Sequence, residues 1–561
     1  MIMKKVLNYI LAAVCTLTIA AGCIQETVPQ TSYATAEQVA NAPGAYDLFV
    51  DAVTSTFVGQ FVYSPSDTRA NDFGLPQFFL YWDLMGNDLV PPALCNGWFD
   101  SWYCIDHLGP TWANSQYAWT HYYKWIKACN NVISLAGEEP DEAKAPGAGI
   151  ALFYRAYLYL DLAQMFATKP YYLDKEAETV PLVVETTQVK DLSNNPRATN
   201  EAMFAQILSD LDKAEAYLAN YQRANVYLPD VSCVYGLKAR AYLLMGEWQS
   251  AKDYAKKAQA GYTIMDDNAY TNWETGFNTP NASWMLGVTY KADDPNIQKN
   301  DGDSSWGSWM CMEINPKTSG CGYAASYGRP IFIDRHLYET IPATDFRKKC
   351  FADFAIDELG QADALQALSA YTDHPDWIYQ NNVLSADFHC VGGLNFKFRT
   401  AGGEEGRNNQ YIGFVVAVPL MRVEEMYLIE AEAAGRLNES EGVALLTAFA
   451  KTRDAAYEYG NHTDAYYNTT SSKFINEVWW QRRVEFWGEG MATKDVKRLQ
   501  KGIIRSYPGT NHVETYRYNV EKTPDWMNLC IVQTETNYNF ACTNNNEPVA
   551  PDGDSDPYKF N

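Results

Sequence analysis

The sequence predicts a mainly α fold, a helical-repeat scaffold joined to an irregular, loop-rich α+β lobe. Two stretches carry the scaffold. Residues 419–499 read as helix, helix, polar loop and helix, and residues 231–258 read as a helical hairpin turning at Gly246. One change of pattern carries the lobe: between residues 262 and 418 helical periodicity mostly stops, and Gly, Asn and aromatic residues take its place.

In chain order, residues 35–61 form the first expected helix, with Val39, Tyr46, Phe49, Val50 and Val53 inward. A loop-rich stretch from 64 to 112 carries Trp82, Asp83, Asn87, Asp88, Trp98, Phe99, Trp102, Tyr103 and Trp112 among Gly and Pro. Residues 117–135 are helical, and Trp119, Ile126 and Ile133 stand at core spacing. Residues 147–166 make the next helix and 200–218 another. In 231–258, small Ala239 and Ala241, the Gly246 turn, then Trp248 and Ala251 make a tetratricopeptide-like unit. Such a helix pair buries its apolar face only by stacking on neighbours. In the last region Leu420, Val423, Tyr427, Ala431 and Ala434 recur at steps of three and four, one face of a helix. Glu432 and Arg436 stand four apart on its opposite side. Asn438 followed by Glu441 reads as a capping box that opens a second helix. A third helix opens near Ser472 and carries Ile475, Trp479 and Phe486 inward. From Cys542 the tail is acidic and Pro-rich.

The 561 residues are 47% hydrophobic and 14% aromatic, with 39 Tyr and 16 Trp. That excludes disorder and favours broad amphipathic contact surfaces. The net charge of −24 repels phosphate backbones, so nucleic acid is excluded as a partner. Residues 1–22 read as a lipoprotein signal peptide: Lys4 and Lys5, an apolar run over 6–21, then Ala20-Ala21-Gly22-Cys23, a lipobox whose Cys23 takes the lipid. A retained membrane helix is the alternative, disfavoured because the run is short and ends in small residues. Of 12 cysteines, ten remain once Cys15 and Cys23 are set aside. The pairs Cys95/Cys104, Cys311/Cys321 and Cys530/Cys542 suit short disulfide loops in an oxidising compartment, and free buried thiols fit equally well. No Cys-x-x-Cys is present and His389-Cys390 stands alone, which argues against structural zinc.

Several blocks, in one chain order, resemble the SusD/RagB family of surface lipoproteins of glycan-foraging gut bacteria. Leu420, Arg422, Glu424 and the Glu430-Ala431-Glu432-Ala433 run resemble that family's Leu-Arg-x-x-Glu helix. Arg482, Arg483, Glu485, Glu489, Gly490, Asp495 and Arg498 resemble its last motif helix. Ala492 stands where the family has a second arginine and Gln481 where it has a glutamate, departures expected to weaken one ion pair. Upstream, YYKWIKACNNVI, then Arg155-Ala156-Tyr157 with Tyr159 and Leu162, then VPLV at 180–183, the Gly246-x-Trp248 step, Asp345-Phe346-Arg347 and Asn395-Phe396-Lys397-Phe398 continue the resemblance. It implies an outer-membrane lipoprotein that covers a SusC-like TonB-dependent transporter like a lid and captures oligosaccharides without breaking a bond. The scaffold would dock on the transporter and the irregular lobe would be the ligand-binding lobe. The boundaries are then 23–261 for the helical-repeat region, 262–418 for that lobe, and 419–561 for the C-terminal helices and tail.

A sugar ring has an apolar C–H face and a rim of hydroxyls, so flat, stiff aromatics stack on it while Asp, Asn and Arg read the rim. Trp98 and Trp102 on one loop, with Trp306, Trp309, Tyr323 and Tyr327 on another, are the candidate stackers; Asp100, Asp303 and Arg329 are the candidate polar contacts. For any one ring, core packing is the competing explanation. Enzymatic motifs are missing: no His-Glu-x-x-His, no Gly-x-Ser-x-Gly, no phosphate loop. Asp552-Gly-Asp554-Ser-Asp556 starts like a calcium loop but Pro557 replaces the turn glycine, so a solvated acidic tail is the reading. No cofactor is predicted, with bound calcium elsewhere left open. Peptide capture, a carbohydrate-active enzyme and a pure repeat scaffold are the rival functions.

Overall fold

A computed structural model of the chain describes residues 44–59, 69–91, 98–319, 321–383, 391–553 and 555–560. The expected signal peptide, the Cys23 lipidation site, the start and end of the 35–61 helix, Cys95, Cys390 and Asp554 lie outside the described residues. Two compact units are distinguished, Met1–Leu48 and Phe49–Asn561. Only residues 44–48 of the first are described, as the opening of helix α1 (Ala45–Ser55).

The 64–112 stretch is less irregular than its composition suggests. It holds helix α2 (Gln77–Leu84), strand β1 (Leu89–Val90) and helix α3 (Asp100–Cys104). Every residue of α2 is buried, so the helix has no polar face and no amphipathic period to read. Helices α4 (Ala113–Ala136), α5 (Ala145–Phe166), α6 (Asn200–Leu218), α7 (Val231–Met245) and α8 (Trp248–Ala258) then pack in series, each on the next. Strands β2 (Glu178–Pro181) and β3 (Arg197–Thr199) pair antiparallel beside α5 and α6. Gly246 takes φ +77° and lets α7 hand over to α8 in two residues. Arg155 shows why α5 carries its motif. Its guanidinium donates to both oxygens of Asp210 on α6 at 2.8 and 2.7 Å, to Asn130 on α4 at 2.8 Å, and to Glu185.

The 262–418 lobe is built of short helices, among them α9 (Trp306–Met310), around a core of its own that includes Phe332, Ile356, Leu368, Ile378, Leu394 and Phe396. It is tied back by strand β4 (Trp284–Thr289), which pairs antiparallel with β6 (Ala417–Arg422); β5 (Phe332–Ile333) pairs with β1. Leu420 therefore lies in a strand and not on the helix expected there, and α10 (Val423–Leu437) starts after it. This helix packs on α8, so the repeat stack resumes after the lobe. Arg240 on α7 binds Glu425 on α10 through two bonds of 2.7 and 2.6 Å. Asn438 caps α11 (Glu439–Ala450) as expected, accepting from Ser440 N, but Glu441 turns away to Lys252. The expected Glu432–Arg436 pair forms, at 3.4 Å, but Glu432 is fully buried and binds Arg498 more closely, at 2.6 and 2.9 Å. Ser472 caps α12 (Lys473–Glu485), and α13 (Ala492–Leu499) follows. Strands β7 (Ile503–Ile504) and β8 (Asn519–Val520) close the chain's pairings.

Several of the motif blocks meet in one buried ion cluster. Arg347, Lys397, Arg422 and Arg453 face Asp345, Glu424, Glu485 and Glu489, so the formal charges cancel. Gln481 accepts from Arg347 at 2.9 Å, so the missing glutamate is replaced by a neutral acceptor. Cys104, Cys311, Cys321, Cys530 and Cys542 carry free thiols, so of the two alternatives left open for Cys311/Cys321 and Cys530/Cys542 the free thiols hold and the bridges do not. Burial holds the Cys321 thiol up at about 12 and Cys530 at about 11, as suits inert core thiols. Among the described residues no helix is long and apolar enough to cross a membrane, and no group of three or more His, Cys, Asp or Glu is placed to hold a metal ion.

The α10–α11 turn sets a sharp test. A Cβ on Gly435 would lie 2.0 Å from the Phe474 ring, and one on Gly442 would lie 2.3 Å from Gly435 Cα. Gly435→Ala gains about 1 kcal/mol of helix propensity yet overfills a packed contact, which costs about 1–3 kcal/mol. The variant is expected to lower the urea midpoint; a raised midpoint would show that the contact is loose.

Candidate functional site

Three glycines prepare the floor of the site. Cβ atoms at Gly302, Gly307 and Gly322 would come within 2.9, 2.7 and 2.9 Å of Phe414, which is fully buried. The 301–303 turn, α9 and the 322–329 loop converge over this ring. Ser305 caps α9 by accepting from Ser308 N at 3.2 Å. The Ser308 hydroxyl then accepts from Tyr323 N at 3.0 Å, and Ser308 O accepts from Ala324 N at 2.8 Å. Arg329 N returns to Tyr323 O at 2.9 Å, closing the loop into a tight curl.

That curl presents a contiguous set of side chains. Tyr323 stacks on Trp309 at 4.1 Å and 6°, and Tyr327 stands edge-on to Tyr323 at 5.2 Å. The Trp98 side chain lies beside the Tyr323 hydroxyl. Trp98 itself is held by Asn71, whose Nδ2 donates to its carbonyl at 3.0 Å. The Tyr327 hydroxyl lies beside Asp303, which accepts from Gly322 N at 2.8 Å and from the Ser308 hydroxyl at 3.5 Å. Burial pushes the Asp303 carboxyl up to about 6, against the pull of the Gly322 N–H. Next to it, Asp301 accepts from the Tyr411 hydroxyl at 2.9 Å. Arg329 is half-buried at the far side of the loop. Tyr327 is the outermost ring, 47% exposed, and Trp98 and Tyr323 are half-buried beside it.

Two of the expected stackers belong to the core instead. Trp102 is 0% exposed and stacks on Tyr81 at 4.4 Å; Trp306 is 1% exposed and wedged edge-on between Phe79 and Phe398 at 6.0 and 5.2 Å. Neither ring presents a face to a ligand. Trp309 is buried too, with its Nε1 donating to Ala70 O at 2.9 Å, and acts as backing for Tyr323. Asp100 opens α3, half-buried, two residues after Trp98. Trp98, Tyr323, Tyr327, Asp303 and Arg329 are thus brought together. Tyr411, Asp301 and Phe414 join them unforeseen, and the glycines at 302, 307 and 322 were the signal for the Phe414 floor.

The arrangement offers flat rings at a surface with carboxylates and hydroxyls at their edges, which suits a ring-shaped polyol. Comparison with known proteins bears on the same point. A SusD-like family model described as "starch-binding associating with outer membrane" matches residues 90–243, and a model of the SusD family matches residues 385–548. Together they cover more than half of the sequence.

The chain belongs to the SusD/RagB family. Solved structures agree on the fold. A SusD-like carbohydrate binding protein from Bacteroides vulgatus is 20% identical, with a TM-score of 0.67 over 89% of this chain and 97% of its own. A SusD superfamily protein from Bacteroides thetaiotaomicron is 17% identical, TM-score 0.65, over 89% and 99%. Surface glycan-binding protein A from Bacteroides thetaiotaomicron, in complex with laminarihexaose, is 17% identical, TM-score 0.60, over 88% and 97%. No curated protein matches the sequence. Of the motif residues of this SusD-like chain, Asp345, Arg347, Lys397, Arg422, Glu424, Glu485 and Glu489 lie in the buried ion cluster, while Arg155, Arg483 and Arg498 make buried ion pairs elsewhere.

Proposed function

We propose that this SusD-like protein captures oligosaccharides at the cell surface and delivers them, unbroken, to a SusC-like TonB-dependent transporter of the outer membrane, to which it is tethered by lipid on Cys23. The observation that carries the reading is the contiguous set Trp98, Tyr323 and Tyr327, three rings at one surface, with Asp303 beneath them and Asp301 and Tyr411 beside them. A raised Asp303 beside Asp301 resembles the carboxylate pair of a glycosidase. Here, however, Asp303 is 5% exposed and occupied by Gly322 N and the Ser308 hydroxyl, which fits a positioning role and not proton transfer to a ligand.

The test is calorimetric titration of the mature chain with neutral plant and host oligosaccharides and with peptide digests, followed by mass analysis of the recovered ligand. Saturable binding of a glycan, recovered unchanged, is expected. Binding of peptides alone would assign peptide capture, cleaved glycan would assign an enzyme, and silence from a folded sample would overturn ligand capture.

A further inference from the structure

Away from the aromatic surface, a small cavity of about 40 Å³ lies where the repeat stack meets the last motif helices, between α5, α7, α10, α12 and α13. It shares no residue with the Trp98–Tyr327 surface.

The carboxylates of its wall are spent. Both oxygens of Asp161 accept, from Lys494 at 2.6 Å and from the Tyr122 hydroxyl at 3.0 Å. Both oxygens of Glu425 accept from Arg240, at 2.7 and 2.6 Å. Asp495 takes Arg482 on one oxygen at 2.5 Å and Arg498 on the other at 2.9 Å. Donors are left over. Arg482 is 4% exposed and bonds through Nε alone; its Nη1 is buried without an acceptor, and Nη2 has none among the described residues. Lys494 gives one of its three N–H groups, to Asp161, and Arg240 keeps Nη1.

The charges point the same way. Arg240, Arg436, Arg482, Lys494 and Arg498 are served by four carboxylates, those of Asp161, Glu425, Glu432 and Asp495. Five cations against four anions leave one positive charge over, in a chain of net charge −24. Lys497, on the wall of the adjoining cavity, meets only the carbonyls of Gln164, Ala167 and Met527, so it brings no anion. The Arg347–Glu485 cluster, by contrast, cancels.

These features select a ligand chemistry. A cation would meet no free acceptor. Water would fill the space but leave the charge unbalanced. One water needs about 10–15 Å³ on this measure, so the cavity takes a halide or a carboxylate of formate or acetate size and excludes a sugar ring. Guanidinium and ammonium N–H groups make their strongest hydrogen bonds to such anions. We propose that this cavity is an anion site, in which a compact monoanion bound by Arg482, Lys494 and Arg240 ties the repeat helices α5 and α7 to α13.

The test is urea unfolding of the full mature chain at constant ionic strength, with gluconate, too bulky to enter, exchanged for chloride, bromide, formate or acetate. At least one compact anion is expected to raise the midpoint saturably, as a ligand of the folded state does. Halides acting without the carboxylates would assign a halide site, and the reverse a short-carboxylate site. Crystals grown in bromide should show an anomalous peak within hydrogen-bond reach of Arg482 and Lys494. Lys494→Met should weaken the anion about tenfold, the weight of one charged hydrogen bond. Gln164→Glu, at a half-buried position on the wall, supplies a carboxylate from the chain itself. It should raise the midpoint in gluconate and abolish the anion effect, and it carries the test should Lys494→Met not fold. A midpoint indifferent to all four anions, bromide absent from the cavity, or an anion effect unchanged in Gln164→Glu would each overturn the proposal. Failure of glycan capture at the Trp98–Tyr327 surface would leave this result untouched.

Discussion

Glu485→Ala is expected to be the most damaging single substitution in this protein. Glu485 is fully buried and accepts from Arg347 at 3.2 Å, Arg422 at 3.1 Å and Arg453 at 3.0 Å. Each arginine comes from a different part of the chain: the Asp345-x-Arg347 step of the lobe, the end of β6, and the turn after α11. Removing one partner from a buried ion pair costs about 3–5 kcal/mol, because the other charge stays buried. Here three guanidiniums lose a shared anion at once, so the loss should reach at least about 4 kcal/mol. The variant should appear insoluble, or soluble with a sharply lowered urea midpoint. Glu485→Gln keeps the shape and one acceptor and should fall between. Acid gives an independent reading. Burial works to raise the Glu485 carboxyl, but the three arginines hold it well below the usual glutamate range. Arg498 and Arg436 likewise hold Glu432 down at about 2 against its burial. A depressed carboxyl contributes stability above its unfolded value near 4.5 and loses it as pH falls toward the folded value. Acid unfolding should therefore set in below about pH 4.5 and come earlier in Glu485→Gln. An alanine variant with an unchanged midpoint would mean that water enters the cluster.

The sequence made the repeat scaffold legible because α4, α6 and α8 each keep a solvent-facing side that marks their period, whereas α5 is buried along nearly its whole length and is read from its Arg155-Ala156-Tyr157 motif. It hid α2, QFFLYWDL, because a helix buried all round shows no alternation. It merged β6 with α10 because a strand buried on both faces reads as a plain apolar run. Pair rules along a helix found Arg436 for Glu432 and were blind to Arg498, 66 residues further on. The candidate site divides in the same way. Composition and loop context found the region, and Trp98, Tyr323, Tyr327 and Asp303 do meet there. The same aromatic chemistry serves a core as well as a ligand, so sequence had no means to separate Tyr327 from Trp306. That separation rests on Phe79 and Phe398, which reach Trp306 from far along the chain.

Tyr327→Ala is expected to remove most of the affinity for the captured oligosaccharide while leaving the fold intact. Tyr327 is 47% exposed and leans on Tyr323 without filling a core position, so its truncation should change stability by no more than about 0.5–1 kcal/mol. A ring at the centre of a contact surface is worth about 2 kcal/mol or more, roughly thirtyfold in affinity. Tyr327→Phe keeps the stacking face and gives up only the hydroxyl beside Asp303. It should lose less than about fivefold, the weight of one ordinary hydrogen bond. That ratio separates stacking from polar readout. Tyr323→Ala is a poorer probe, because it also uncovers Trp309. For a neutral glycan the affinity should hardly change between low and high salt, since no ion pair with the ligand is screened. Equal losses in Tyr327→Ala and Tyr327→Phe would move the binding energy from the ring face to Asp303. No loss in either, with binding intact, would place the captured ligand elsewhere on the molecule.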